Sequence, residues 1–295
     1  MSFPVSYIEP VFRPPSEANS LILPVTNGCS WNQCTFCEMY TQPQKKFRAR
    51  DEAQVLEEIR RCGEQLIVQR VFLADGDALV LPTHRLLTIL RAIAEHLPEV
   101  TCVSSYCLPR NLRRKSVGEL KELADAGLGM VYVGAESGDD EVLARVNKGE
   151  TAASTRDALL KLGEAGINRS VMILNGLGGT VLSGQHADHS AQLMNETQPE
   201  FLSTLVVSFP MGDDRLRSRF EDFRPLDQIG LFREVERMLE GLELHDTVFR
   251  SDHASNYLVL KGQLGAEKPR LLEQVRQAIA APERANLRQE WQRGL

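Results

Sequence analysis

The sequence predicts an α/β fold organised around a parallel sheet. Short continuous apolar runs rich in Val, Ile and Leu recur along its 295 residues, each is followed by a turn and an amphipathic stretch, and no polar low-complexity tract interrupts them. Strands of a parallel sheet are covered by helices, so they read as unbroken apolar runs instead of alternating ones. The chain is expected to be folded throughout, at a length that suits one barrel or two smaller domains.

The expected strands cover residues 21–25, 71–74, 100–103, 130–133, 171–174 and 201–207. Helix starts between them carry physical signatures. Asp51 with Gln54, and Ser116 with Glu119, each set an oxygen acceptor three residues ahead of a side chain able to reach back to a free amide. Pro82 suits a first helical position, because its missing N–H is not needed there. After it, Leu86, Leu87, Leu90, Ile93, Ala94 and Leu97 mark one buried stripe. Regions 247–250 and 257–260 form a further apolar element beyond the repeat, placed to close an open side. Residues 267–295 read as helix, with Leu271, Leu272, Val275, Ile279 and Leu287 on a broken stripe. Periodicity alone stops at the parallel α/β class.

Residues 1–20 contain Pro4, Pro10, Pro14 and Pro15 and no apolar run of signal-peptide type. No other stretch approaches the apolar length that crosses a bilayer, so the expected location is the cytoplasm, with no membrane partner. The formal charge of −6 gives no general attraction for polyphosphate. Nucleic acid is not expected as a partner. The one candidate patch for it, Lys45, Lys46, Arg48 and Arg50 around Phe47, reads equally as a solvated loop leading into a helix. Cysteines at 29, 34, 37, 62, 102 and 107 do not suggest a disulfide framework in a reducing compartment.

Three of those cysteines are grouped. Gly28-Cys29-Ser30-Trp31-Asn32-Gln33-Cys34-Thr35-Phe36-Cys37 follows directly on the first strand and sets three thiols within nine residues. Thiolates are soft ligands suited to iron–sulfur clusters, zinc and Cu(I), and a short loop can wrap three of them around one centre. On a cubane of four irons, three cysteines leave one iron open for chemistry. Structural zinc takes four closed ligands, usually as two paired half-sites, and no second Cys-x-x-Cys exists here. Cys102 and Cys107 lie around a different strand, and Cys62 falls within a helix. A zinc site and three unrelated loop cysteines are the alternatives to an iron–sulfur site.

The segment resembles the cluster loop of the radical S-adenosylmethionine (SAM) superfamily, in which three cysteines hold a [4Fe–4S] cubane and SAM chelates the fourth iron. The resemblance implies metal ligation by Cys29, Cys34 and Cys37, with Phe36 near the adenine. Four residues separate Cys29 from Cys34 where the family usually has three, and the extra residue bulges the loop. Asp75-Gly76-Asp77 is similar to the family's Gly-Gly-Glu-like segment, which implies that Gly76 and Asp77 hold the methionyl ammonium; an anion there complements that charge. Gly134-Ala135-Glu136-Ser137-Gly138-Asp139, running on to Asn147-Lys148-Gly149, is similar to the fourth-strand segment of methylthiotransferase-like and cobalamin-associated members. It implies SAM contacts from Glu136 and Ser137, while Ser137 or Asp139 also suits a helix cap. Asn175 and Gly176, within Val171-Met172-Ile173-Leu174-Asn175-Gly176-Leu177-Gly178-Gly179, resemble the fifth-strand glycine motif lining the SAM pocket.

With these motifs the roughly six strand–helix repeats are expected to form a partial (β/α)6 TIM-like barrel of the radical SAM type with a C-terminal extension. Residues 1–20 would be an N-terminal extension, 21–245 the core barrel, and 246–295 a C-terminal extension packing on the barrel. The resemblance implies an enzyme whose [4Fe–4S] cluster reductively cleaves SAM to a 5′-deoxyadenosyl radical, which abstracts hydrogen from a substrate. An electron donor such as flavodoxin or ferredoxin is the implied partner. Only 28 residues precede Cys29 and no later cysteine group exists, so neither an amino-terminal cobalamin domain nor an auxiliary cluster is expected, and methylthiotransferase activity is disfavoured. Noncanonical SAM cleavage is a second enzymatic reading. The reading of a different class is a non-catalytic iron–sulfur or zinc protein acting as a binding module.

Three further signals are separate from these motifs. His186 and His189 lie three apart on an expected helix, and without a third ligand they read as an exposed face. Arg250-Ser251-Asp252-His253-Ala254-Ser255-Asn256-Tyr257-Leu258 is dense in hydrogen-bonding groups, and His253 is the candidate for proton transfer, against a capped turn. Cys107 reads as a buried inert thiol, and Trp31 either covers the cluster or packs against its loop.

Overall fold

A computed structural model of the protein describes residues 3–293. The fold is α/β, with a mostly parallel sheet of eight strands and a separate two-stranded sheet. The chain divides into two compact units.

The first unit comprises residues 1–32, 37–133 and 158–169. It contains β1 (Leu21–Pro24), β2 (Thr26–Asn27), β3 (Arg48–Ala49), α1 (Glu52–Gln65), β4 (Arg70–Ala74), α2 (Thr83–His96), β5 (Cys102–Tyr106), α3 (Val117–Asp125) and most of β6 (Leu128–Glu136). β1, β4, β5 and β6 pair in that order and all run parallel, with Leu21 opposite Val71, Arg70 opposite Cys102 and Tyr106 opposite Tyr132. The expected third strand at 100–103 is displaced to Cys102–Tyr106. Ser104 and Ser105, just past the expected strand, are both fully buried, and their hydroxyls donate to Val71 O (3.4 Å) and Leu73 O (3.0 Å) of β4. A serine whose proton is spent on the neighbouring strand removes most of the cost of burying it.

The helix signals act where the sequence puts them, with small shifts. Asp51 accepts from Gln54 N (2.9 Å), and Ser116 with Glu119 completes a reciprocal box. Pro82 is the residue before α2 and not its first turn, and Ala94 is exposed while Ile89 joins the buried stripe. Ahead of β1, Glu17 is fully buried and accepts from Tyr132 Oη (2.5 Å) and Arg70 (3.0 Å), with a further short bond from Ser20.

The second unit comprises residues 33–36, 134–157 and 170–295. It holds α4 (Asp140–Arg145), the start of α5 (Ala152–Glu164), most of β7 (Asn168–Asn175), α6 (Gly179–Thr197), β8 (Phe201–Val206), α7 (Asp214–Arg217), α8 (Gln228–Gly241), β9 (Thr247–Ser251), β10 (Leu260–Leu264) and α9 (Lys268–Ala280). β7, β8 and β9 are parallel, and β10 returns antiparallel to β9. The expected strand at 257–260 therefore begins later, at Leu260. Tyr257 and Leu258 are engaged elsewhere: Arg288 N donates to Tyr257 O (2.8 Å), and Leu258 bridges Leu287. α9 buries Leu271 and Val275, as expected, together with Ala278, while Leu272 and Ile279 are half-buried. The helix stops at Ala280, ahead of Pro282, whose ring cannot continue it, so Leu287 lies on irregular chain. The last two residues of the expected helix, 294–295, lie outside the described residues. No helix among the described residues is long and apolar enough to cross a membrane.

Burial pushes the Glu17 carboxyl up, but the hydrogen bonds from Ser20, Tyr132 and Arg70 outweigh this and hold it below the usual glutamate range. A depressed folded pKa contributes stability that is present above the unfolded value and is lost as pH falls through the folded one. Glu17→Gln is accordingly expected to lower stability at neutral pH by about 1–3 kcal/mol and to flatten the acid side of the stability profile, measured by urea unfolding between pH 3 and 7.

Candidate active site

In the first unit the site residues gather at the carboxyl end of β4. Asp75 is buried and receives the fully buried Lys45 ammonium and, more weakly, Gly28 N (3.4 Å); Lys45 also donates to Ile8 O (2.7 Å). Asp77, fully buried, accepts from the amide of Ser30 (3.2 Å), from the Ser30 hydroxyl and from Asn111 Nδ2 (2.8 Å). Burial raises its pKa, and the bonds from Ser30 and Asn111 pull the other way without cancelling the rise. Both acids thus grip the start of the cysteine loop. Gly76 has φ +46, its amide donates to Tyr40 Oη (3.0 Å), and a Cβ there would lie 2.5 Å from Gly28 O.

The basic patch expected as a candidate surface is mostly not one. Lys45 is internal, and Arg50 makes two 2.8 Å bonds to Glu58 and a third to Pro24 O (2.9 Å). Only Lys46 and Arg48 of the four are exposed.

Cys29 and Cys37 are half-buried, and none of the six cysteines is in a disulfide. Between Cys29 and Cys34 the backbone turns at Asn32, which has φ +45 and donates Nδ2 to Tyr40 O (2.8 Å). Asparagine tolerates this left-handed conformation better than most residues, which gives the longer cysteine spacing a local solution. Trp31 carries the Arg110 guanidinium 3.9 Å above its ring. Cys107 is buried, as the sequence suggests, with its thiol against Leu108 O.

In the second unit, the middle of the cysteine loop is docked through backbone groups. Thr35 N donates to Val146 O (2.9 Å), Asn147 Nδ2 donates to Gln33 O (3.1 Å), and Arg215 of α7 donates to Cys34 O (3.2 Å). Phe36 packs on an apolar cluster that includes Val142, Val146 and Phe220, with the Lys148 ammonium 6.0 Å from its ring. Arg215 carries no signal in the sequence, since one of three arginines in a short polar segment looks like surface.

The end of β6 is unusual. Glu136 has φ +65, costly for a non-glycine residue, and its carboxylate folds back over Gly134 to meet Lys148 Nζ at 2.9 Å. Ser137 is fully buried; its hydroxyl accepts from Asp139 N (3.0 Å) and meets His186 Nδ1 at 2.7 Å. Asp139, and not Ser137, caps α4, accepting from Val142 N (2.8 Å), and its other oxygen meets His189 Nδ1 at 2.6 Å. The two histidines therefore are not an exposed pair: His186 is buried, half-exposed His189 is engaged by Asp139, and both face the 137–139 turn.

At the end of β7, Asn175 is buried and lines a small cavity with Val206, Ser251, Asn256 and Tyr257. Gly176, φ +82, donates its amide to Glu234 Oε1 of α8 (2.6 Å). His253 sits on a loop fixed by Asn256 Nδ2 to Thr204 O (2.8 Å) and by Arg288 to Asp252 O (3.0 Å). Its Nδ1 accepts from Ser255 N (3.1 Å), which leaves the proton of the neutral ring on Nε2. Burial, then the nearby Arg288, lower its pKa, so the ring is neutral at neutral pH.

Two observations test the fit of the implied cofactors. For the cluster, the donor chemistry is right: three soft thiols, none oxidised to a disulfide, on one short loop. No three His, Cys, Asp or Glu side chains converge at metal-binding spacing among the described residues, so this fit is one of donor type. For SAM, Asp75 Oδ1 and Asn111 Oδ1 are buried acceptors with no hydrogen-bond partner, a cost that a ligand ammonium would relieve.

The family model for the radical SAM superfamily matches residues 23–191. The chain therefore belongs to the radical SAM superfamily, whose enzymes use a [4Fe–4S] cluster and SAM. Among curated proteins it is similar to 4′-phospho-dehydrooxetanocin synthase of Priestia megaterium, 24% identical over 165 residues, which is 50% of this chain and 22% of the relative. Its fold is similar to that of coproporphyrinogen III oxidase (HemN) from Escherichia coli, with TM-score 0.56 and 16% identity over 75% of this chain and 52% of that one. It is also similar to the radical SAM methyltransferase TsrM from Kitasatospora setae, with TM-score 0.51 and 19% identity over 64% of this chain and 36% of that one. The chain thus spans about a fifth of the curated relative and half of the first of these structures. These folds agree with the TIM-like partial barrel expected from the motifs.

The Gly76 contact yields a controlled test. Gly76→Ala combines positive φ with a collision, whereas at Gly166, φ +77, a Cβ would meet nothing within 4 Å. Gly166→Ala is expected to cost about 1–2 kcal/mol, the left-handed penalty alone, and Gly76→Ala clearly more, read from thermal unfolding.

Proposed function

We propose that the chain is a radical SAM enzyme that cleaves SAM reductively and directs the resulting radical to hydrogen abstraction from a substrate. The observation that carries this reading is the cysteine loop held at the end of β4 by Asp77, beside buried acceptor oxygens on Asp75 and Asn111 that lack partners. Cys29, Cys34 and Cys37 would ligate three irons and leave the fourth to SAM. When bound, the cluster and SAM would supply one-electron chemistry that makes the radical for hydrogen abstraction.

The protein's own groups bind, orient and exclude. Acceptors around Gly76, with Asp75 and Asn111, suit the methionyl ammonium; Asp77 acts mainly through Ser30, fixing the loop that carries Cys29. Phe36 would offer an apolar face for adenine and Glu136 would contact the ligand from the end of β6, where buried Ser137 sets the shape of the turn. Lys148 neutralises Glu136 while it waits. Asn175 and Gly176 would shape the end of β7 beside the ligand, Gly176 through the positive-φ turn that its missing side chain permits. His253, neutral with Nε2–H outward from its Ser255 bond, would donate a hydrogen bond to a substrate oxygen or nitrogen. Residues 21–245 would form the catalytic core and 1–20 and 246–295 its extensions. The protein would work in the reducing cytoplasm, where a low-potential donor of the flavodoxin or ferredoxin kind reduces the cluster.

Anaerobic reconstitution of the full chain is expected to give about four irons per chain and, after reduction, 5′-deoxyadenosine from SAM. Cys34→Ala should lose most of that iron and all SAM cleavage while its far-ultraviolet circular dichroism stays that of the parent. Full iron and full cleavage in the variant would remove the ligand assignment; tight zinc without SAM turnover in the parent would replace the enzyme by a metal-binding module.

A further inference from the structure

The sequence treats His186 as surface and gives Glu234 no role, yet both are buried polar groups between the sheet and its covering helices in the second unit. Burying a histidine and a glutamate is expensive unless their hydrogen-bonding groups are used. Here they are used on the ends of two adjacent motif strands. His186 Nδ1 is 2.7 Å from Ser137 Oγ, at the end of β6. His186 Nε2 faces Glu234 Oε1 at 3.8 Å, an electrostatic and not a hydrogen-bonding distance. That same Oε1 accepts the Gly176 amide at 2.6 Å, at the end of β7, and Oε2 accepts Ser183 Oγ at 2.5 Å.

The proton order follows from the partners. The Glu234 carboxylate opposite Nε2 favours the tautomer protonated there, which leaves His186 Nδ1 to accept from the Ser137 hydroxyl while Ser137 Oγ accepts from Asp139 N. The ring proton is then on Nε2, pointing at the Glu234 carboxylate, which suits a buried anion. α6 reinforces the arrangement along one face: Ser190 Oγ accepts from Gly138 N (2.9 Å), and a Cβ at Gly138 would meet His189 O at 2.1 Å. The 137–139 turn is therefore seated directly on the helix.

We propose that His186 and Glu234 are positioning residues that couple the strand ends carrying Ser137 and Gly176 through one buried relay, Ser137 to His186 to Glu234 to the Gly176 amide. The functional part of this rests on the reading that these ends face SAM; the coupling itself does not. Neither residue touches the cofactor. Their effect is to keep two separate backbone turns in one fixed relation, so that ligand groups meet a preformed surface.

Two amide variants separate the relay from ordinary packing. In His186→Asn the amide falls at the Nδ1 position and keeps the Ser137 bond; in His186→Gln it falls at the Nε2 position and abandons Ser137. Each variant cuts one link of the relay, so hydrogen–deuterium exchange of the SAM-free full chain is expected to rise both at 134–139 and at 174–178 in His186→Gln and in His186→Asn alike. For reconstituted protein, equilibrium dialysis is expected to show the SAM Kd raised about tenfold in His186→Gln, in His186→Asn and in Ser137→Ala, and no further in the His186→Gln/Ser137→Ala double variant. Faster exchange confined to 134–139 would overturn the coupling, as would His186→Gln and Ser137→Ala effects that multiply. Should His186→Gln fail to fold, Glu234→Gln takes its place: it must loosen 134–139 as well as 174–178, and unchanged exchange at 134–139 sinks the proposal. A parent protein that binds no SAM but shows the coupled exchange leaves the relay standing and removes only the enzymatic reading.

Discussion

The Lys45–Asp75 ion pair is the contact on which the first unit's share of the site depends. Both groups are buried, and Lys45 is among the largest fully buried side chains. An isolated charge in that position would cost several kcal/mol, so each partner enforces the other. Asp75 continues β4 and touches Gly28, while Lys45 lies beyond Cys37 and reaches Ile8. One pair thus ties the two ends of the cysteine loop to the strand that follows it and to the amino-terminal segment. Asp77 adds a second hold through Ser30, and Gly76 permits the close approach of the two backbones. The loop's shape is set before any metal is considered.

The second unit solves the same problem differently. Its part of the loop is held by backbone carbonyls of Gln33, Cys34 and Val146 paired with Asn147, Arg215 and Thr35, and its strand ends are held from behind by α6 and α8. Hydrogen bonds to backbone carbonyls, one of them from exposed Arg215, do there what a buried charged pair does in the first unit. The left-handed backbone at Glu136 shows how tightly that end is specified, since the conformation persists only where its surroundings overdetermine it.

Much of this was legible in the residues. Apolar runs located most strands within a few positions, the reciprocal box forms at Ser116, and Asp51 caps its helix from one side only. The motif glycines at 28, 76 and 176 do sit at positive φ. What escaped reading has a common cause: partners far apart in sequence. Ser104 and Ser105 look polar until β4 accepts their protons; Lys45 and Arg50 look like a basic surface until Asp75 and Glu58 are seen; His186 looks exposed until Ser137 lies against it. Local periodicity cannot register a hydrogen bond that spans 49 residues, as the Ser137–His186 bond does.

The tail beyond α9 has a practical side. Arg288 and Arg293 cap the carbonyls of Asp252, His253, Ser255 and Asn256, and Arg293 also stacks on Tyr257. The segment bearing His253 is thereby clamped by chain that looks dispensable, being short, irregular and remote from the cysteines. Shortening the protein for crystallisation by trimming after Ala280 would unfasten that clamp, and affinity handles are better fused at the amino terminus.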